Sequence, residues 1–169
     1  MADFIISNKS DGGFPQSGDK FLLERSGQYY SMSADKIAMG MWRIVKGLTQ
    51  AQIQALNTTP ITLFSAPGVG KVASIVHATA FIDHNGTTYA TATTLRIKHS
   101  GQSNTLFASS TSFIGSASDR YEQLVNTSIS ATTQQLFANT ALVIDANANA
   151  TNNGGTITVD AIVRVVEFA

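Results

Sequence analysis

The chain has no cysteine, which excludes disulfides and thiolate metal sites and leaves the redox compartment open. Charge is scarce. Asp, Glu, Lys and Arg make up 13% of the residues, about half the usual share, so solubility rests on Ser, Thr, Asn, Gln and Gly. Eleven basic residues balance 11 acidic ones, so no global field steers the protein to nucleic acid or to an anionic membrane surface. No stretch approaches the roughly 20 apolar residues of a membrane span. The opening Met1-Ala-Asp-Phe-Ile-Ile-Ser7 lacks the basic and long apolar regions of a secretory signal, and the expectation is a protein made and folded in a cytoplasm. What is present is a chain of 169 residues, 43% hydrophobic, long enough for one core and an appended segment.

The organising stretch is Thr59 to Ile82: a β-prone run over Pro60–Ala66, the turn Pro67-Gly-Val-Gly70, and a second run over Lys71–Ile82. It reads as a hairpin. The second arm is apolar on both alternating registers, Val72, Val76, Ala78, Ala80 and Ile82 on one and Ala73, Ile75 and Phe81 on the other, which predicts a strand buried on both faces. Asn85-Gly86 suits a type I′ hairpin turn into a Thr-rich strand over 87–98, making a meander. Upstream, Met39–Lys46 is β-prone, and Leu48–Asn57 changes period. Thr49 with Gln52 forms a capping-box pattern, and Ile53 and Leu56 share the face of a short helix.

Downstream, 105–107, 112–114, 126–130 and 140–145 are short strand candidates, and Asp119–Val125 reads as a helical turn capped by Ser118. The last run, Gly155–Phe168, places Ile157, Val159, Ala161, Val163 and Val165 on one face, the pattern of a strand central in its sheet.

Residues 1 to 20 hold isolated apolar residues, Phe4, Ile5, Ile6 and Phe14, with too little periodicity for an element. Phe21–Leu23 and Gln28–Met32 then form two strand candidates across Arg25-Ser26-Gly27, and Ser33 caps a helical turn over 34–37. Asp19, Phe21, Leu22, Arg25, Gly27, Tyr30, Ala34 and Asp35 form a pattern that resembles the small modules near the N-termini of tailed-bacteriophage fibre and other virion proteins, especially in phages of cyanobacteria. A second segment, Leu48-Thr49 through Leu56-Asn57 and Pro60 to Ala66-Pro-Gly-x-Gly-Lys71, is similar to a β-rich domain that recurs in structural genes of tailed phages.

Other motifs weigh less. Ser65–Lys71 imitates a phosphate-binding loop but has Ser65 where the pattern needs Gly and Val72 where it needs Ser or Thr. His77, Asp83 and His84 are metal-ligating types, yet they read as a packed histidine and a solvated turn. The glutamates Glu24, Glu122 and Glu167 are scattered, without the paired carboxylates of glycosidase chemistry. Tyr29, Tyr30 and Trp42 could stack on a sugar, but packing is the simpler role.

The sequence therefore predicts an all-β protein: an antiparallel β-sandwich of jelly-roll type over 38–169, preceded at 1–37 by an arm and small attachment hairpin. The phage resemblance implies a non-enzymatic virion protein, a capsid decoration or cement protein on the head surface, with a tail fibre or fibre adaptor as the alternative. A carbohydrate-binding host-recognition module is a further alternative. It implies no cofactor and no metal, the major capsid protein or another virion protein as partner, and a homotrimer, a common state of jelly-roll virion proteins. The expected attachment residues are Phe4, Ile5, Phe14, Phe21, Arg25, Tyr29 and Tyr30.

Overall fold

The computed structural model describes residues 4–6, 20–25, 28–33, 41–90, 93–127 and 136–168. The chain divides into two compact units, Met1–Trp42 and Arg43–Ala169. The first contains a three-stranded antiparallel sheet of β1 (Phe4–Ile6), β2 (Lys20–Arg25) and β3 (Gln28–Ser33), in that order. The β2–β3 pairing runs from Lys20↔Ser33 to Arg25↔Gln28 and is the hairpin read from the sequence. β1 corrects that reading. Phe4–Ile6 pairs with Phe21–Leu23, and a three-residue strand is too short for alternation to reveal. Phe14, the backbone of Gly27 and the helical turn over 34–37 lie outside the described residues.

The remaining strands are β4 (Met41–Leu48), β5 (Ile61–Phe64), β6 (Lys71–Asp83), β7 (Leu95–His99), β8 (Thr105–Ala108), β9 (Arg120–Gln123), β10 (Val125–Asn126), β11 (Leu142–Ala146) and β12 (Thr156–Glu167). They form two sheets ordered β4-β12-β6-β9 and β10-β8-β7-β11-β5. The path from β4 to β5, β5 to β6, β6 to β7, β8 to β9 and β11 to β12 changes sheet each time, whereas β7–β8 stays within one as a hairpin. That alternation winds the chain as a jelly roll, with the short β10 added at an edge.

This winding corrects two expectations. The turn at Pro67–Gly70 does not close a hairpin, because β5 pairs with β11 while β6 pairs with β12 and β9. Nor do β6 and β7 make a meander. Gly86 has φ +91° but Asn85 is not left-handed, so the turn is not type I′, and the strand begins only at Leu95. Pro-Gly and Asn-Gly signals mark a reversal of direction. They carry no information on which sheet receives the returning strand.

The double apolar register of β6 has two causes: Val72, Ala73, Ser74 and Ile75 are buried on both faces, as expected, and beyond them a bulge shifts the pattern of the strand. Its pairing with β12 shifts between Ile162↔His77 and Val163↔Ile75, leaving Val76 unpaired as a β-bulge, 50% exposed. Before the bulge Ala73 and Ile75 are buried, and after it Ala78, Ala80 and Ile82 are. One inserted residue moves the core-facing set to the other parity. β12 has no such insertion; Ile157, Val159, Ala161 and Val163 are all fully buried, and the strand lies between β4 and β6.

The core between the sheets joins these residues to Leu95, Ile97, Leu142 and Ile144 of the facing sheet. One short helix, α1 (Gln50–Gln54), starts as expected. The Thr49 side chain accepts from the Gln52 backbone N–H and the Gln52 side chain accepts from Thr49 N–H. Ile53 and Leu56 are buried in the core. The Asn-rich loop after β11 closes on this helix, with Gln54 Nε2 donating to the Asn152 carbonyl at 2.7 Å and Asn57 N–H donating to Asn149 Oδ1 at 3.2 Å.

In the middle of the chain, Ser112–Ile114 is a turn rather than a strand, yet Phe113 and Ile114 are fully buried. Residues 120–123 and 125–126 are strand rather than helix. Asn126–Thr127 ends the described part of that run; 128–130 lie outside it.

Candidate assembly surfaces

In the N-terminal sheet the register sorts the predicted attachment residues by face. Phe4 lies opposite Leu23 and Leu23 opposite Tyr30; Ile6 lies opposite Phe21 and Phe21 opposite Met32. Directly paired residues share a face and alternate residues return to it. Phe4, Phe21, Arg25 and Tyr30 therefore share a face with Ile6, Leu23 and Met32, three residues the sequence reading left out. Their signal was present as the period-two spacing Phe21-x-Leu23 and Tyr30-x-Met32. Ile5 and Tyr29 fall on the other face, among Lys20, Leu22, Glu24, Ser31 and Ser33. Consecutive Tyr29 and Tyr30 pair with Glu24 and Leu23 and so fall on alternate faces of the sheet.

The outer faces of the jelly roll differ from each other. On the β4-β12-β6-β9 sheet, Arg43 grips Asp160 bidentately, Nε to Oδ1 at 3.1 Å and Nη2 to Oδ2 at 2.6 Å. That hydrogen bonding holds the Asp160 carboxyl below its ordinary range against the opposing effect of burial. The pair cancels its own charge. Val45 (57% exposed), Val76 and Tyr121 (76% exposed) stand out around it, with Tyr121 stacked on Phe81 at a 4.6 Å centroid distance. On the other sheet Asp145, 2% exposed, receives Arg96 Nε at 2.9 Å, Arg96 Nη2 at 2.8 Å and Lys98 Nζ at 2.6 Å. Two cations on one carboxylate leave that face weakly positive.

The chemistry-bearing motifs resolve into structural roles. The loop at Ser65–Gly70 runs into β6 rather than a helix, so no helix N-terminus meets an anion there. Asn139 Oδ1 accepts from Gly68 N–H, and Lys71 Nζ lies 3.8 Å from Glu167. Among the described residues no group of three His, Asp or Glu side chains is placed to hold a metal. His77 is half-buried opposite Ile162 on the outer side of β6, not packed in the core. The core histidine is His99, which the sequence reading passed over. It is buried edge-on to Phe137 at the end of β7, and burial lowers its pKa against the opposing effect of the Thr140 backbone carbonyl. Glu122 is held by Ser110 and by Arg120 at 3.0 Å, which ties the 109–118 loop to β9.

No protein-family model and no curated protein matches the chain. Two solved structures show some likeness. One is an acidic stable capsid structure of the Helicobacter pylori bacteriophage KHP30, at 13% identity and TM-score 0.42, covering 76% of this chain and 94% of that one. Its phage infects Helicobacter, not a cyanobacterium. The other is a cyclase from Fischerella sp. TAU in complex with 4-(1H-indol-3-yl)butan-2-one, at 10% identity and TM-score 0.28, covering 98% of this chain and 90% of that one. Both TM-scores fall below the level that marks a shared fold.

Proposed function

We propose that this chain is a non-enzymatic structural protein of a tailed-phage virion, a decoration or cement protein of the head whose N-terminal unit is the attachment device. The observation that carries the reading is the division of the chain into two units with different needs. The jelly roll builds a core from Leu48 onward, while the N-terminal sheet is a separate unit with Phe4, Ile6, Phe21, Leu23, Tyr30 and Met32 gathered on one face by register. A sheet this small gains stability when such an apolar face is covered. The partner that covers it is the major capsid protein or another virion protein. Burying each of those side chains contributes about 1.5–3 kcal/mol, which offsets the ordering entropy of the arm. Repetition over many copies multiplies a modest affinity. The two phage-like sequence segments support the setting.

The low charge of the chain and the exposed apolar residues of the β4-β12-β6-β9 sheet favour a homotrimer, since little repulsion opposes self-contact. Light scattering is expected to return three times the 17.9 kDa chain mass; a monodisperse monomer at micromolar concentration overturns that part.

The test of the whole reading is rebinding to particles that lack the protein, followed by microscopy. Full-length protein is expected as density over the shell, and residues 38–169 are expected to stay in solution. Density on the tail moves the assignment to a fibre or adaptor, and absence from particles ends it.

A further inference from the structure

The turn after β6 holds a reactive arrangement that assembly does not use. Asn85-Gly86 is one of two Asn-Gly dipeptides in the chain, the other being Asn153-Gly154. Asn85 and Gly86 are exposed. Gly86 N–H donates to His84 Nδ1 at 3.2 Å, and Thr87 N–H donates to Asn85 Oδ1 at 3.1 Å. His84 is itself held by its own N–H, which donates to Asp119 Oδ1 at 2.8 Å. Because Nδ1 accepts, the neutral ring carries its hydrogen on Nε2, a buried atom. The other charged groups nearest along the chain and across the pairing are Asp83, Asp119 and Arg120, the last engaged by Glu122.

We propose that Asn85 is a self-modification site at which His84 acts as general base for cyclisation and deamidation, with water as the only co-reactant. The Gly86 N–H proton passes to His84 Nδ1 as the Gly86 nitrogen bonds to Asn85 Cγ. Negative charge develops on Asn85 Oδ1, where the Thr87 N–H is already aimed. Collapse breaks the Cγ–Nδ2 bond, and the nitrogen leaves as ammonia with the proton returned from His84. Water then opens the cyclic imide at either carbonyl carbon and gives aspartate or isoaspartate. The open φ of Gly86, +91°, and the missing Cβ let the nitrogen approach without a steric barrier.

Asn153-Gly154 supplies an internal control. Asn153 Oδ1 accepts from Gln54 Nε2 at 3.1 Å, Gly154 is buried with the Tyr89 ring where a Cβ would stand, and among the described residues no side-chain base accepts from Gly154 N–H. Each event at Asn85 takes the chain from a net charge of zero to one negative charge, in a turn already flanked by Asp83 and Asp119. This inference is independent of the virion reading.

The experiment is prolonged incubation of the full-length protein at neutral pH, with peptide mass spectrometry of both dipeptides and isoaspartate detection. Native protein is expected to accumulate aspartate and isoaspartate at Asn85 while Asn153 stays intact. His84→Gln is expected to slow conversion at Asn85 by about tenfold or more, given that a positioned general base contributes roughly 10²–10⁴-fold. In denaturing urea the two sites are expected to convert at similar rates, a comparison that needs no variant. Equal conversion of both dipeptides in the native protein, or an unchanged Asn85 rate in folded His84→Gln, overturns the proposal.

Discussion

The tightest constraint on any single residue sits at Gly154-Gly155. A Cβ on Gly154 would overlap the Tyr89 ring, and one on Gly155 would overlap the Asp83 carbonyl at a backbone φ of +105°. Gly154→Ala and Gly155→Ala are each expected to cost about 1–3 kcal/mol or more, the usual penalty of overpacking, read as a lowered urea midpoint. Tyr89 explains why the space is occupied: its ring is buried and its hydroxyl donates to the Gly155 carbonyl at 2.8 Å. Burial pushes its pKa up to about 12. The unfolded chain releases that proton near 10, so the contribution to stability is complete below pH 10 and is lost as pH rises through about 12. Tyr89→Phe is expected to remove this part of the alkaline slope, and one of the four tyrosines should form tyrosinate only with unfolding. None of this was legible in the sequence, where Tyr89 lay in the expected Thr-rich strand and Gly155 opened the last β-prone run. The packing partners are more than sixty positions apart.

Elements were legible where their signals are local. The capping box at Thr49 and Gln52, the β2–β3 hairpin and the unbroken alternation of β12 all lie within a few residues of sequence, and the structure has each. β5 and β6 were placed as strands but joined wrongly, because a turn signal is the same whether the chain returns to its own sheet or crosses to the opposite one. β6 is buried on both sides over 72–75, as read, but beyond that its second apolar register comes from the bulge, which puts both Ile75 and Ala78, three positions apart, in the core. The bulge makes this a testable difference. Deleting Val76 removes the inserted residue and leaves Ala73, Ile75, Ala78, Ala80 and Ile82 on one unbroken core-facing alternation in the register β12 already has, so the variant is expected to keep cooperative unfolding. A second residue inserted beside Val76 is expected to turn one of the two sets away from the core and lose it. Val76→Thr keeps the insertion on an exposed position and is expected to stay within about 0.5 kcal/mol of the parent by urea melting.

For the molecule as a whole, composition and strand spacing carried the all-β sandwich, whereas the N-terminal sheet was half legible: hydrophobic type marked Phe4, Phe21 and Tyr30 along with Ile5 and Tyr29, but only the pairing register sorts the two sets. Residues 38–169 contain every strand of the jelly roll, and this fragment is expected to melt in a single cooperative transition by circular dichroism. Loss of that transition would make the N-terminal unit part of the folding core.

The strand order also bears on biosynthesis. The first strand of the jelly roll, β4, lies beside the last, β12, and β12 runs the full length of β6 from Lys71↔Glu167 to Asp83↔Thr156. Until β12 has been made, one sheet lacks its inner strand and β4 has no neighbour in it. Contacts this distant in sequence make folding slow and keep the sheet incomplete until β12 is available. A chain cut short before β12 therefore has no stable body, and such a truncated product is expected to be degraded rather than to accumulate.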